Sequence, residues 1–311
     1  MRLATVTLNG TLDRVLLVPG LTLGQIHSVE RVITLASGKG LNVARTAHTL
    51  GAALMTTGLV AGQCGQWICA ALAQEGIPGE FVTLPCGESR ISTILVEPGC
   101  RQTTVVNDLG PVVAAELWPE LCTKLIRVIR GYPWVALCGS GLPGLPDTVY
   151  TDLCVALQSR GQRVCLDTRA PWLTEALAAR PYLVKCNQHE VAQVLGRGVD
   201  TPQEARDAAR EWVAMGVERV VITLGSQGAV AVQEAGAWYV QAARVRALSP
   251  IGSGDAMMAG VILALQKGQT LPEAVRYGVA LGTANTLAPG SGRCDWDAVD
   301  ELMDRTLIHL L

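Results

Sequence analysis

The stretch Ala36-Ser-Gly38-Lys39-Gly40-Leu-Asn42-Val-Ala-Arg-Thr-Ala-His-Thr-Leu50 runs, through Gly51-Ala-Ala, into Leu54-Met-Thr-Thr-Gly-Leu-Val60. Val43, Ala44, Ala47 and Leu50 fall on one face at helical spacing, so 41–50 reads as a helix opened by glycines. Leu54 to Val60 reads as a strand, and residues 3–8 upstream form another. A helix follows near 65–75. The same unit recurs, with strands expected at 133–138, 163–167, 182–185 and 219–224, each followed by a helical or turn segment. The last third ends in helices expected at 254–267, 271–287 and 295–309. Strands alternating with helices imply an α/β fold with a mostly parallel sheet covered on both faces.

Two stretches break this alternation. Residues 14–35 carry short β-like pieces around Pro19-Gly20. Residues 90–106 read as a hairpin, Ile91 to Val96 and Gln102 to Val106, turning at Glu97-Pro-Gly-Cys100. Both are rich in β-branched residues, which suits a small separate sheet over one edge of the main body. With no repeats, low-complexity runs or linkers, the expectation is one domain over 1–311 with a lid formed by 14–35 and 90–106.

Composition narrows the function. The chain has 311 residues, 49% of them apolar and 17% charged, which supports a large core and excludes disorder. A net charge of −2 argues against a broad nucleic-acid or membrane-surface footprint. The ten cysteines include no CxxC pair, and Cys138 and Cys165 sit inside apolar strand-like runs, so they read as reduced and buried. The four dispersed histidines give no zinc pattern. The first residues turn polar too early for a signal peptide, and no apolar run reaches the length of a membrane span. A cytoplasmic location is expected. Only four of the 25 basic residues are lysines (Lys39, Lys124, Lys185 and Lys267), a count for which a general preference for arginine is the plain reading.

Five motifs carry candidate chemistry. Gly38-Lys39-Gly40-Leu-Asn42 opens a helix, where free backbone N–H groups and a lysine suit an anion, although a glycine-rich turn capping a helix has the same pattern. Gly252-Ser253-Gly254-Asp255 opens a second, small and apolar helix. Successive N–H groups there can hold developing negative charge, and Asp255 reads either as a macrodipole-stabilising acid or as a general base beside that anion site. Gly139-Ser-Gly141-Leu-Pro143-Gly144 formally matches GxGxxG, but Pro143 and Pro146 interrupt the helix that dinucleotide binding requires. A turn at the ligand-binding edge of the sheet fits better. Asn187 and Glu190, three apart at a strand end, suit either hydrated magnesium or a helix capping box. Thr223-Leu-Gly225-Ser-Gln-Gly228 leaves a strand through a tight turn, open to phosphate or simply a hairpin. No GxSxG elbow supports a Ser-His-Asp hydrolase.

Taken together and in order, these motifs resemble the ribokinase family of sugar kinases, in its phosphofructokinase B branch. The resemblance spans nearly the whole chain: Thr7-Leu-Asn-Gly-Thr-Leu-Asp13-Arg14, Gly38-Lys-Gly-Leu-Asn42, Ser89-Arg90, Gly139-Ser-Gly-Leu-Pro143, Lys185-x-Asn187-x-x-Glu190, Thr223-Leu-Gly-x-x-Gly228 and Gly252-Ser-Gly-Asp255. It implies a Rossmann-like three-layer α/β/α domain with a small β lid. It also implies ATP-dependent phosphorylation of a ketohexose phosphate, either tagatose 6-phosphate or fructose 1-phosphate.

By that resemblance, Asp255 is the base and the Gly252, Ser253 and Gly254 N–H groups stabilise the transferring phosphoryl group. Asp13, Gly38 and Asn42 hold sugar hydroxyls, and Lys39 and Arg90 hold the existing phosphate. Asn187 and Glu190 organise Mg²⁺ with ATP, Glu190 acting through water. Thr223, Gly225, Gly228 and Asn285 line the nucleotide site. The implied partners are sugar phosphate and ATP, with no nucleic acid or membrane, and a homodimer through the lid is open to the exposed lid edges. Gly10, Ser37, Gln25, His27 and Asp167-Thr-Arg-Ala170 depart from the family pattern. Two other readings are a kinase for an unphosphorylated sugar or nucleoside, against which the Lys39–Arg90 pair argues, and a silent sugar- or nucleotide-binding regulator, against which Asp255 and its intact glycine loop argue.

Overall fold

The computed structural model describes residues 1–99, 102–288 and 290–311. Its strands are β1 (Arg2–Thr7), β2 (Thr11–Leu17), β3 (Arg31–Ser37), β4 (Ala53–Val60), β5 (Val82–Thr83), β6 (Arg90–Glu97), β7 (Gln102–Asn107), β8 (Trp134–Cys138), β9 (Arg163–Asp167), β10 (Leu183–Asn187), β11 (Arg219–Thr223), β12 (Gly228–Gln233), β13 (Gly236–Gln241) and β14 (Leu307–Leu310). The helices are α1 (Lys39–Thr49), α2 (Gly62–Gln74), α3 (Trp118–Val128), α4 (Val149–Gln158), α5 (Trp172–Ala176), α6 (Gln188–Leu195), α7 (Pro202–Ala214), α8 (Ser253–Gln266), α9 (Leu271–Leu287) and α10 (Val299–Arg305).

Ten strands form one sheet in the order β14-β13-β12-β11-β10-β9-β8-β1-β4-β5. From β11 to β5 the neighbours run parallel, whereas β11 through β14 pair antiparallel at one edge. β8 is buried at every position, as a parallel strand covered on both faces must be. One face packs side chains of α3, α4, α5, α6 and α7, and the other packs α1, α2, α8 and α9. This is the expected three-layer α/β/α arrangement.

Two differences from the sequence expectation stand out. The helix expected over 295–309 is only Val299–Arg305, and Leu307–Leu310 is instead strand β14 on the edge of β13. Thr306 ends the helix by taking an extended conformation, and β13 offers the free edge on which the last residues pair. The lid is a four-stranded sheet, β3-β2-β6-β7, that reaches back to Thr11 and on to Asn107. Its central pair, β2 with β6, is parallel, so the lid is not two independent hairpins. Residues 18–30, inside the expected lid segment, form no strand, and Cys100 of the expected hairpin turn lies outside the described residues.

α8 and α9 lie unusually close. A Cβ at Gly260 would sit 3.1 Å from Gly278 Cα, and one at Gly278 would sit 2.8 Å from Met257 O. Small residues let the two helices approach this closely. The nine described cysteines are free thiols, with Cys138 and Cys165 buried as expected. Among the described residues no helix is long and apolar enough to cross a membrane.

Candidate active site

In a parallel sheet all carboxyl ends face one edge, and ligands bind there. The register aligns Thr7 with Cys138, and Cys138 with Asp167, at the ends of β1, β8 and β9. Asn187 and Thr223 end β10 and β11 side by side. The N-termini of α1 and α8 converge on this edge.

Five ionisable groups meet there. Lys39 Nζ lies 2.5 Å from Asp167 Oδ1 and 2.8 Å from Glu190 Oε1. Lys185 Nζ lies 2.6 Å from Asp167 Oδ2. Asp167 is fully buried, so each of its oxygens is matched to one ammonium. Burial opposes its charge, but Lys185 and Lys39 outweigh burial and hold the carboxyl below its ordinary range. Burial likewise opposes the charge on both lysines, yet Asp167 holds each above its ordinary value, with Glu190 adding to the effect on Lys39. This trio is a fixed, ionised frame.

Asp255 is the exception. It sits in the first turn of α8, buried, with Oδ2 accepting from Asn42 Nδ2 at 2.8 Å. Burial, then the nearby Asp167 charge, pushes its carboxyl up to about 7, against the pull of Lys39 and Lys185. A carboxylate poised near neutral pH beside fixed cations suits general-base chemistry.

The glycines of this loop have steric reasons. Gly252 caps α8 at φ +82°, and a Cβ there would lie 2.8 Å from Ser291. A Cβ on Gly254 would lie 2.9 Å from Lys185 Nζ, which places that ammonium directly against the loop. Of the three N–H groups expected to face the phosphoryl group, that of Ser253 donates to Pro250 O at 3.3 Å, because the chain closes a tight turn there before the helix starts. Gly252 and Gly254 flank it.

Other expected site residues also bond to protein. Lys39, expected on the sugar phosphate, has two of its three ammonium donors on Asp167 and Glu190, which leaves one N–H for a phosphate. Asn42 was expected on a sugar hydroxyl. Its Oδ1 accepts from Ser37 Oγ and Arg45 Nη1 and one Nδ2 N–H donates to Asp255, which leaves the second N–H for a sugar hydroxyl. Asn187 and Glu190 form a complete capping box on α6: Asn187 Oδ1 accepts from the Glu190 N–H, and Glu190 Oε2 accepts from the Asn187 N–H. Both oxygens of Glu190 are therefore engaged, and among the described residues no cluster of three or more His, Cys, Asp or Glu is arranged to hold a metal.

Gly38 caps α1 at φ +122°, and Asp13 lies buried on lid strand β2. Burial raises the Asp13 carboxyl, while Ser37 and Arg90 pull it down. Arg90, at the start of β6, donates from Nε to Asn9 O at 3.3 Å. Burial holds its guanidinium below the usual range, and the Arg169 charge on the loop after β9 adds to that. Arg90 thus feels the Arg169 charge, which Asp13 and Asp108 offset.

On the other side of Gly254 opens a cavity of about 700 Å³, lined in part by Thr223, Gly225, Gly228, Pro250, Ser253 and Thr286. Its size suits a nucleotide. The three expected nucleotide-site residues on the β11–β12 turn line it. Asn285 does not: it is fully buried and donates from Nδ2 to Ile251 O at 2.9 Å, because its position on α9 faces the loop before α8 rather than the cavity. Thr286, one residue on, faces the cavity instead.

Residues 7–298 match the pfkB family carbohydrate kinase profile. A 1-phosphofructokinase from Rhodobacter capsulatus is 35% identical over 93% of this chain and 92% of its own length. The chain belongs to the pfkB family of carbohydrate kinases. A solved structure of phosphofructokinase-2 from Escherichia coli in complex with substrates and products is 28% identical, with a TM-score of 0.90 over 98% of this chain and 99% of that one. Ribokinase from Thermotoga maritima, at 19% identity and a TM-score of 0.75, shares the fold.

For this family member, two cluster residues escaped the reading of single motifs. Lys185 had only its place in a motif to mark it, although a lysine inside the apolar run Leu183-Val-Lys-Cys was itself a sign of a buried partner. Asp167, ending the apolar run Arg163-Val-Cys-Leu, is that partner.

Proposed function

We propose that this enzyme transfers the γ-phosphoryl group of ATP to a hydroxyl of a ketohexose phosphate, fructose 1-phosphate or tagatose 6-phosphate. The observation that carries this reading is Asp255, raised to about 7 in a buried first turn between the Asp167–lysine frame and the nucleotide-sized cavity. The acceptor hydroxyl gives its proton to an Asp255 carboxylate oxygen as its oxygen bonds to the γ-phosphorus. The bond to the β-phosphate oxygen breaks and ADP leaves. Lys39 and Lys185 stand at the start of α8, where charge on the transferred group is concentrated, and positioning with electrostatics supplies most of the catalysis of such transfers. Mg²⁺ arriving with the triphosphate would offset its charge, and Glu190 and Asn187, already engaged with Lys39 and in the α6 capping box, would hold it only through water.

Arg90, which feels the like charge of Arg169, favours an acceptor that already bears a phosphate, because a guanidinium holds a phosphate through charge-assisted hydrogen bonds. The relatives named 1-phosphofructokinase support the same choice. An ADP-release assay across phosphorylated and free sugars tests it. Turnover on fructose 1-phosphate or tagatose 6-phosphate is expected to exceed that on ribose and adenosine by at least about 10²-fold in kcat/KM, the value of one charge-assisted contact set. Faster turnover on either free acceptor overturns the reading.

The lid supplies the partner reading. Edge strands β3 and β7 expose Val32 (43%), Val105 (42%) and Val106 (56%), and the neighbouring loop exposes Leu23 and Ile26. Apolar side chains on open sheet edges suit pairing with a second copy of the chain. Light scattering is expected to give twice the chain mass, falling to the chain mass in Val106→Asp. A monomeric wild type removes the proposal.

A further inference from the structure

Arg45 lies on α1 three residues after Asn42 and is almost fully buried. Every edge of its guanidinium is used. Nε and Nη2 meet the two Glu75 oxygens at 2.5 and 3.0 Å, and Nη2 also donates to Ala36 O at 2.6 Å. Nη1 donates to Asn42 Oδ1 at 3.2 Å and to Ser291 O at 3.4 Å. One side chain thus joins α1, the end of α2, the base of lid strand β3 and the loop after α9, the loop that packs on Gly252.

The two ends of an asparagine amide are nearly the same size, so its partners decide which way it faces. At Asn42, Arg45 Nη1 and Ser37 Oγ both donate to the oxygen. A reversed amide would put its NH₂ against a guanidinium. The NH₂ is therefore directed to Asp255 Oδ2.

We propose that Arg45, anchored on Glu75, is a positioning residue for phosphoryl transfer: it fixes the Asn42 amide so that its N–H holds one oxygen of Asp255, leaving the other to meet the acceptor hydroxyl. The inference rests on Asp255 being the base. Besides Asn42, the charged or titratable groups facing Asp255 are Asp167 from β9, Lys39 from α1, Lys185 from β10 and the Cys138 thiol from β8. Substitution of Arg45 leaves all four in place.

Arg45→Met is expected to lower kcat at pH 7 by about 10–10²-fold, the scale of a misplaced catalytic group. KM for both substrates should stay within about threefold, as for an interaction made in the transition state. An N–H donor favours the charged form, so its loss moves the acidic limb of kcat to higher pH, and part of the lost activity returns at pH 9. Arg45→Lys should recover part of kcat. Should Arg45→Met fail to fold, Glu75→Gln, which loosens the anchor and keeps Arg45, is expected to move the limb the same way by less. A kcat loss equal at every pH, or a loss carried by KM alone, overturns the proposal. Asp255→Asn separates the two levels: if it is inactive while the limb stays unmoved in the Arg45 and Glu75 variants, only the positioning role fails. If it stays active, the base assignment itself fails.

Discussion

Asp255→Asn is expected to lose about 10²–10⁴-fold in kcat, the usual contribution of a positioned general base. Asparagine keeps the size of the side chain and an oxygen for the Asn42 N–H, so binding of ATP and sugar phosphate should change little. The variant should also be the more stable protein above neutral pH. In the folded chain Asp255 is raised from 3.8 to about 7, chiefly by burial and then by Asp167. A raised carboxyl contributes stability that is fully present below its ordinary value and lost as pH rises through about 7. At pH 8 the wild type therefore holds an unfavourable buried charge that asparagine lacks. A higher Tm for Asp255→Asn at pH 8, with the difference shrinking toward pH 5, is the expected thermal-melt result. An unchanged kcat removes Asp255 from the chemistry.

The second large effect concerns the frame. Asp167→Asn leaves Lys185 buried without its carboxylate, and Lys39 with only Glu190. Removing one partner of a buried ion pair typically destabilises by about 3–5 kcal/mol, because the other charge stays buried and uncompensated. For a chain of this length that corresponds to a Tm lower by roughly 5–10 °C. Asp167 is held below its ordinary range, so its contribution is present above that range and lost as pH falls through it, and the gap between variant and wild type should narrow in acid. Lys185→Met should be milder, since Asp167 keeps Lys39. Asp167 also raises Asp255, so in whatever activity Asp167→Asn retains, the acidic limb should move down in pH. Equal Tm values for Asp167→Asn and wild type contradict the frame.

How much of this was legible in the sequence follows from range. Strands such as Trp134–Cys138 and Arg163–Asp167 are buried on both faces, so they read as continuous apolar runs. The glycines at 38, 252 and 254 were legible because helix starts pressed against other backbone exclude side chains. Leu307–Leu310 was not, because four exposed residues become a strand only by lying on β13, far earlier in the chain. The site residues were legible as a set and not in their pairings. Asn42 meets Asp255 across 213 positions and Lys39 meets Asp167 across 128, distances at which no local pattern survives. The protein partners of Lys39 and Asn42 were therefore not legible, and neither was the turn of Asn285 away from the nucleotide-sized cavity. The scarcity of lysine takes a different meaning as well: two of the four lysines are the cations of the Asp167 frame.

The most direct test is kcat/KM against pH from 5.5 to 9, measured on the preferred phosphosugar for wild type and Asp255→Asn side by side. The expected result is an acidic limb in the wild type with a midpoint near 7, and a small residual activity in the variant that lacks this limb. A wild-type profile that is flat through neutral pH, or a limb that survives intact in Asp255→Asn, contradicts it.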